Sequence, residues 1–225
     1  MKTICIIPAR GGSKGIPRKN LAKLGKWSLL EHTIADAYEL KCPIYVTTDD
    51  DEIGYIAQEA DCVYMKRPKE LAGDDAQIED AVIDVLERLN TPPETIVVMM
   101  QPTSPFRFPG EVADAVELFK KSLYTSVFSA YELYPFLWIP GRNSANRLRY
   151  GYKKRPNRQD KSPSFVEDGS FYITLADVYY TGNNRLTCTA QAWIHNKIYG
   201  IEVDTPEDLE LCQQLLPWLK SSGKV

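Results

Sequence analysis

The chain has 225 residues, 27 of them basic and 30 acidic, for a formal net charge of −3. That length suits one domain with a substantial core, and the slight acidic excess argues against a general nucleic-acid or membrane-surface binder. No stretch approaches the ~20 apolar residues of a membrane span, and the apolar run at residues 3–7 is too short for a signal peptide, so a soluble cytoplasmic protein is expected.

Residues 3–7 (Thr-Ile-Cys-Ile-Ile) read as a buried strand that breaks into Pro8-Ala9-Arg10-Gly11-Gly12-Ser13-Lys14-Gly15-Ile16-Pro17-Arg18-Lys19-Asn20. Residues 27–40 place Leu29, Leu30, Ile34, Ala37 and Tyr38 on one helical face. Residues 43–48 form a short strand followed by Asp49-Asp50-Asp51, and Ile53, Ile56 and Ala57 mark a second helix. A strand at 62–65, a loop at Arg67-Pro68 and a helix at 76–89 follow. Residues 95–100 are continuously apolar, as in the central strand of a parallel sheet. Gln101-Pro102-Thr103-Ser104-Pro105-Phe106-Arg107 ends that strand, and residues 109–121 are again helical. Strands alternating with helices predict an α/β fold with a doubly wound, mostly parallel sheet, and its ligands at the strand carboxyl ends. From residue 124 the pattern changes. A strand at 124–131 leads into an excursion at 133–154 rich in Tyr, Trp, Pro, Gly, Asn and Arg, with hairpin character. A basic cluster at 155–160, a strand from the turn at Asp168-Gly169, and an extended run at 193–203 come next. Thr205, Pro206 and Asp208 open a final helix as cap, first helical residue and capping box. The whole of 1–225 reads as a single domain.

The first loop carries the clearest chemistry. Its glycines allow backbone N–H groups to face an anion closely, and its Arg and Lys side chains add charge-assisted hydrogen bonds suited to phosphate. An exposed basic turn is the competing interpretation. The loop matches neither the Gly-x-x-x-x-Gly-Lys-Ser/Thr spacing nor the Gly-x-Gly-x-x-Gly fingerprint. At Glu202-Val203-Asp204, strand alternation puts both carboxylates on one face, where a divalent cation would relieve their repulsion. A solvent-facing acidic edge, or extra caps for the last helix, fits the same residues. Gln101 sits at a strand carboxyl end and offers donor and acceptor. Thr48-Asp49-Asp50 shares that position, although helix caps look alike. Arg67 alone is ambiguous, and Lys154, Arg155 and Arg158 suit either a second anion clamp or a solvated face. The five cysteines (Cys5, Cys42, Cys62, Cys188, Cys212) are scattered and read as reduced structural thiols. His32 and His195 have no partner at ligand spacing, which argues against zinc or a Ser-His-Asp arrangement.

Taken in order, these segments resemble the acylneuraminate (CMP-sialic acid) cytidylyltransferase family, which includes the CMP-Kdo synthetases. The resemblance rests on Ile-Pro-Ala-Arg-Gly-Gly-Ser-Lys-Gly-Ile-Pro-Arg-Lys-Asn at 7–20, Thr47-Thr48-Asp49, Arg67-Pro68, Gln101-Pro102-Thr103-Ser104-Pro105, Arg158-Gln159, Gly169-Ser170-Phe171-Tyr172-Ile173 and Asp204-Thr205 with Asp208-Leu209. It implies a three-layer, Rossmann-like nucleotidyltransferase fold. It further implies transfer of CMP from CTP to the anomeric hydroxyl of an acid sugar, with pyrophosphate as leaving group. Arg10, Ser13, Lys14, Lys19 and Asn20 would then hold the triphosphate, with the backbone of Ala9, Gly11 and Gly12. Arg67 would face the base, and Gln101, Arg158 and Tyr172 the sugar. Asp204 and Glu202 would hold Mg2+, with Mn2+ as the alternative ion. Arg10, Lys14, Lys19 and Asp204 would carry the catalysis. The resemblance also implies a homodimer built through an excursion at 133–158. No side chain in these motifs is an obvious base for the sugar hydroxyl.

The chain departs from the family pattern at several positions, the last two of them on the sugar side. Glu202 replaces the usual Asp, and Asp168 stands where Asn usually precedes Gly169. Ile78 lies near a position that is often a small hydroxyl residue contacting cytosine. The patch Tyr134-Pro135-Phe136-Leu137-Trp138 lacks a lysine common after that proline, and Arg185-Leu186 stand near a usual aromatic pair. Legionaminic or pseudaminic acid is therefore as good a candidate as N-acetylneuraminic acid. Kdo or a phosphonate as acceptor, a different base, and a non-catalytic nucleotide-binding protein are the alternatives.

Overall fold

The apolar runs of the first hundred residues form the parallel half of one seven-stranded sheet. The computed structural model describes residues 1–140, 145–147 and 155–225. Its strands are β1 (Thr3–Pro8), β2 (Lys23–Leu24), β3 (Trp27–Ser28), β4 (Ile44–Thr48), β5 (Val63–Lys66), β6 (Ile96–Met100), β7 (Ser126–Leu133), β8 (Trp138–Pro140), β9 (Ala145–Arg147), β10 (Ser164–Leu175) and β11 (Ala190–His195). The large sheet has the order β11-β7-β10-β6-β1-β4-β5. β10 runs antiparallel to both neighbours, and every other adjacent pair is parallel. β2–β3 and β8–β9 are small antiparallel hairpins, the second lying in the excursion.

Alternation along β1 explains the layering. Cys5 and Ile7 point to one face and Ile4 and Ile6 to the other, and all four are buried. The first face is covered by α1 (Leu29–Ala37), α2 (Asp51–Glu59) and α4 (Glu111–Lys121), through Leu30, Ile34, Ile53, Val112 and Phe119. The second is covered by α3 (Ile78–Arg88) and α5 (Ala176–Gly182), through Val82, Val85, Leu86 and Tyr179. Strands covered on both faces must be apolar throughout, which is why β6 carries no polar residue. The last helix, α6 (Pro206–Ser221), forms a separate cluster with Leu24, Leu29, Phe106 and Val203 beneath the strand carboxyl ends. Thr205 and Asp208 make its capping box, as the sequence predicts.

Two local expectations are revised, and one helix is not anticipated. The helix expected over 27–40 starts at Leu29, because Trp27 and Ser28 pair with the β2 hairpin strand and Ser28 becomes the cap. The extended run expected over 193–203 ends as a strand at His195, where a turn held by Tyr199 N–H to the Asn196 carbonyl breaks it. α5 carries no clear helical period, because only Ala176 and Tyr179 are buried in it. Lys154, and with it much of the 133–158 excursion, lies outside the described residues.

Candidate functional site

The phosphate-type loop leaves β1 and folds back on itself. Ala9 N–H donates to the Thr47 carbonyl, extending the sheet bond to β4 by one residue. Gly11 N–H donates to Asp49 Oδ1 at 2.9 Å. The Asn20 amide donates to the Arg10 carbonyl at 2.8 Å and closes the loop. Arg18 adopts a left-handed conformation and pairs with Asp50 at 2.8 Å and Glu52 at 2.7 Å. Asp50 is also the cap of α2, so the acidic stretch after β4 serves structure.

A cavity of about 270 Å³ opens above the ends of β1, β5 and β6. Arg10, Gly12, Ser13, Lys19 and Asn20 line it from the loop, and Arg67 and Gln101 line it from across. Residues predicted at three separate places therefore share one cavity, where the carboxyl ends of parallel strands meet. Arg67 is buried and donates to the Thr47 carbonyl at 2.7 Å. That burial pulls its guanidinium down to about 10, while Asp49 acts in the opposite direction. The Gln101 carbonyl is fixed by buried Arg107, whose Nη2 also reaches the Ser170 carbonyl at 2.8 Å.

Two acidic features border the cavity. Asp74 lines it and binds Lys14 at 3.0 Å and Arg10 at 3.4 Å, and Arg10 also donates to the Gly73 carbonyl. Lys14 points outward and is 78% exposed. At the other side, Lys19 Nζ lies 2.7 Å from Asp204 Oδ1. Residues 201–204 form no strand, yet the expected alternation holds there: Val203 is buried and Glu202 and Asp204 are exposed. Val203 N–H donates to the Thr103 carbonyl at 2.7 Å, which ties the acidic pair to the β6 turn. Partial desolvation, with Asp204 adding repulsion, holds the Glu202 carboxyl above its ordinary range. Two such carboxylates beside a phosphate-type loop fit a hard divalent cation that takes its remaining ligands from phosphate and water. Among the described residues no group of three or more His, Cys, Asp or Glu side chains is arranged for a metal.

The third quarter of the site lies behind Gln101. Gly169 has a φ of +71° at the bulge of β10, a left-handed conformation that favours glycine, and it faces Gln101 Oε1 and Glu202 Oε1. Its neighbour Asp168 turns its carboxylate inward, away from any ligand. It accepts from Ser129, from the Ser170 N–H and from His195 Nε2 at 2.6 Å. His195 Nδ1 lies 3.3 Å from Glu111. Burial alone would lower the imidazole, but the bonds to Asp168 and Glu111 outweigh it and hold His195 at about 9. The histidine without an evident partner in sequence thus sits between two buried acids, 27 and 84 positions away. Tyr172 is buried, with its hydroxyl donating to Glu167 and its ring beneath the Arg185 guanidinium. Arg158 is placed apart from the cavity lining, 5.5 Å from the Tyr134 ring, and Arg155 and Lys161 lie over Phe136. The basic cluster and the aromatic patch after β7 therefore pack on each other.

Asp74 and Glu79 are not singled out by the sequence, and Arg185 is marked there only as a departure on the sugar side, with no role assigned to it. Each is a lone charge in a loop or first helical turn, and only the fold brings it to the cavity lining or beside it.

Comparison with known proteins adds three findings. The family described as "Cytidylyltransferase" matches residues 4–136. A CMP-N,N'-diacetyllegionaminic acid synthase of Legionella pneumophila is 30% identical over 237 residues, covering 96% of this chain and 97% of that protein. An N-acylneuraminate cytidylyltransferase of Streptococcus agalactiae serotype V is 32% identical over 215 residues. That match takes in 92% of this chain but 52% of the relative, so the chain spans about half the length of that protein. Among solved structures, a CMP:2-keto-3-deoxy-manno-octonic acid synthetase complexed with CTP has the same fold, with a TM-score of 0.71 at 16% identity over 97% of this chain and 99% of that one.

Proposed function

This chain belongs to the cytidylyltransferase family, and we propose that it joins CMP from CTP to the anomeric hydroxyl of a sialic-acid-like (nonulosonic) sugar. The observation that carries the proposal is the shared cavity, in which Arg10, Ser13 and Lys19 face Arg67 and Gln101 while Lys19 holds Asp204 at the rim. The sugar hydroxyl oxygen attacks the α-phosphorus and its proton passes to a phosphate oxygen or water, the bond to the bridging oxygen of the β-phosphate breaks, and pyrophosphate leaves with that electron pair. Transfers of this kind depend on positioning and charge neutralisation.

Each residue type suits its role. Arg10, Lys14 and Lys19, with Ser13, Asn20 and the amides of 9–12, hold the triphosphate and oppose its charge. Arg67 faces the base end, and Gln101 the sugar. Tyr172 and Arg158 are the remaining sugar-side candidates, although Tyr172 acts from a buried position. Mg2+, with Mn2+ as the alternative, would be held by Asp204 and Glu202 and would neutralise phosphate charge when bound. A homodimer through 133–158 and a cytoplasmic location complete the proposal. Sizing by light scattering tests the first.

The near end-to-end similarity to a legionaminic acid synthase favours a nine-carbon acid as acceptor. The apolar patch at 134–138 keeps Kdo as the second choice. Pyrophosphate release measured with each of the four nucleoside triphosphates and one acid sugar tests the base: CTP should be used best, and a preference for GTP or UTP would overturn that assignment.

A further inference from the structure

Beside Gln101, which lines the cavity, lies a cation outside the phosphate loop. Arg185 lies between α5 and β11. Its Nε lies 2.7 Å from Glu79 Oε1 in an ion pair, and its guanidinium carbon is 4.8 Å from the centre of the Tyr172 ring. Its Nη1 is 3.5 Å from Gln101 Oε1. Glu79 is buried in the first turn of α3, beside the cavity-lining Ile78.

These contacts fix the plane of the guanidinium without saturating it. Among the described residues it has two polar partners for five N–H donors. The contact to Gln101 is at the outer limit of hydrogen bonding, so a stronger acceptor at that place would take the donor over. A guanidinium anchored at one edge, with one terminal nitrogen only weakly engaged next to a cavity-lining residue, is an arrangement that can bind a planar carboxylate through two parallel bonds. The side chain is 23% exposed, enough for a ligand to reach and little enough to limit screening by water. Neutralising buried Glu79 explains the Nε contact but leaves the approach to Gln101 unexplained.

We propose that Arg185, anchored by Glu79 and Tyr172, binds the carboxylate of the acceptor beside Gln101 and makes the site select acid sugars. The proposal rests on the cytidylyltransferase reading and deepens it. Arg185→Gln alone would strand a buried carboxylate, so the decisive variant is Glu79→Gln/Arg185→Gln, which removes both charges. N-acetylneuraminic, legionaminic and 3-deoxy-manno-octulosonic acids are titrated into the full chain in the presence of CDP and Mg2+. In parallel, KM is measured for sugar and for CTP.

The double variant should bind the preferred sugar at least about tenfold more weakly, with KM for CTP changed less than about twofold, and Arg185→Lys should fall between it and wild type. Unchanged sugar affinity in the folded double variant overturns the proposal, as does an equal rise in both KM values. Failure of wild type to bind any of the three acids overturns it as well. Wild type that binds a sugar yet releases no pyrophosphate removes the transfer reading, while the titration still decides Arg185. Wild-type sugar KM in an active double variant removes Arg185 and leaves transfer standing.

Discussion

Lys19 and Asp204 lie 185 positions apart in sequence, yet Lys19 Nζ is 2.7 Å from Asp204 Oδ1. Lys19 is largely buried at 13% exposure and Asp204 is open at 63%. The lysine is thus set firmly in the loop, and the aspartate is open to solvent. A buried stem with a charged tip at the surface holds position better than two exposed side chains do. The pair joins the first loop of the sheet to the cap of the last helix.

Removing either charge should lower turnover while leaving the fold intact. Lys19→Met, Lys14→Ala and Asp204→Asn should each reduce pyrophosphate release by about a hundredfold, the usual scale for losing one electrostatic contact to a reacting group. Circular dichroism and Tm should stay near wild type, because none of the three side chains is in the core. A variant releasing pyrophosphate at the wild-type rate would take its residue out of the mechanism.

Gly15 is the point where the loop touches the acidic pair. A Cβ there would overlap the Asp204 carbonyl oxygen, and a backbone oxygen cannot swing aside as a side chain can. Gly15→Ala should push the loop away from residues 202–204 and cut turnover by about tenfold or more, with Tm lowered by only a few degrees. Gly12→Ala is the control, since a Cβ at Gly12 meets nothing within 4 Å. Equal activities for the two variants would show that the close approach at Gly15 has no role in the reaction.

Asp74 competes with phosphate for the same cations. Its carboxylate is held below the ordinary range chiefly by Lys14, with Arg10 adding to the effect. Asp74→Asn should free both side chains and tighten CTP binding several-fold at low ionic strength, with the gain shrinking as salt screens the charges. Calorimetric titration at two salt concentrations checks this. Weaker binding by the variant would mean that Asp74 organises the loop for the nucleotide.

His195 sets a pH dependence of stability. Its imidazole is held at about 9 in the fold, above the ordinary 6.5. Stability from the charged form is therefore complete below about pH 6.5 and is lost as pH rises through about 9. The span corresponds to at most about 3 kcal/mol. The Tm of wild type should fall more steeply between about pH 7 and pH 10 than that of His195→Gln, which has no titrating group there. Parallel profiles would contradict the assignment.

Much of this architecture is legible in the sequence because parallel strands buried on both faces must be continuously apolar, as at residues 95–100. The loop at 9–20 is legible because glycines and cations at a strand end have few structural uses. Glu202 and Asp204 are legible as a pair, although a turn with Val203 tucked inward, and no strand, produces their alternation. The Asp168–His195–Glu111 network is not legible. It depends on β11 pairing with β7 and on the bulge of β10, which no local pattern announces. Asp74 and the partners of Arg185 are hidden for the same reason: an isolated charge acquires a partner only through the fold.

Incubation of the full chain with CTP, Mg2+ and a panel of nonulosonic and octulosonic acids, followed by mass spectrometry of the products, tests the proposed transfer directly. Formation of a CMP-sugar with one nine-carbon acid, matched mole for mole by pyrophosphate, is the predicted result. Nucleotide binding at the cavity with no CMP-sugar formed from any acid would contradict it.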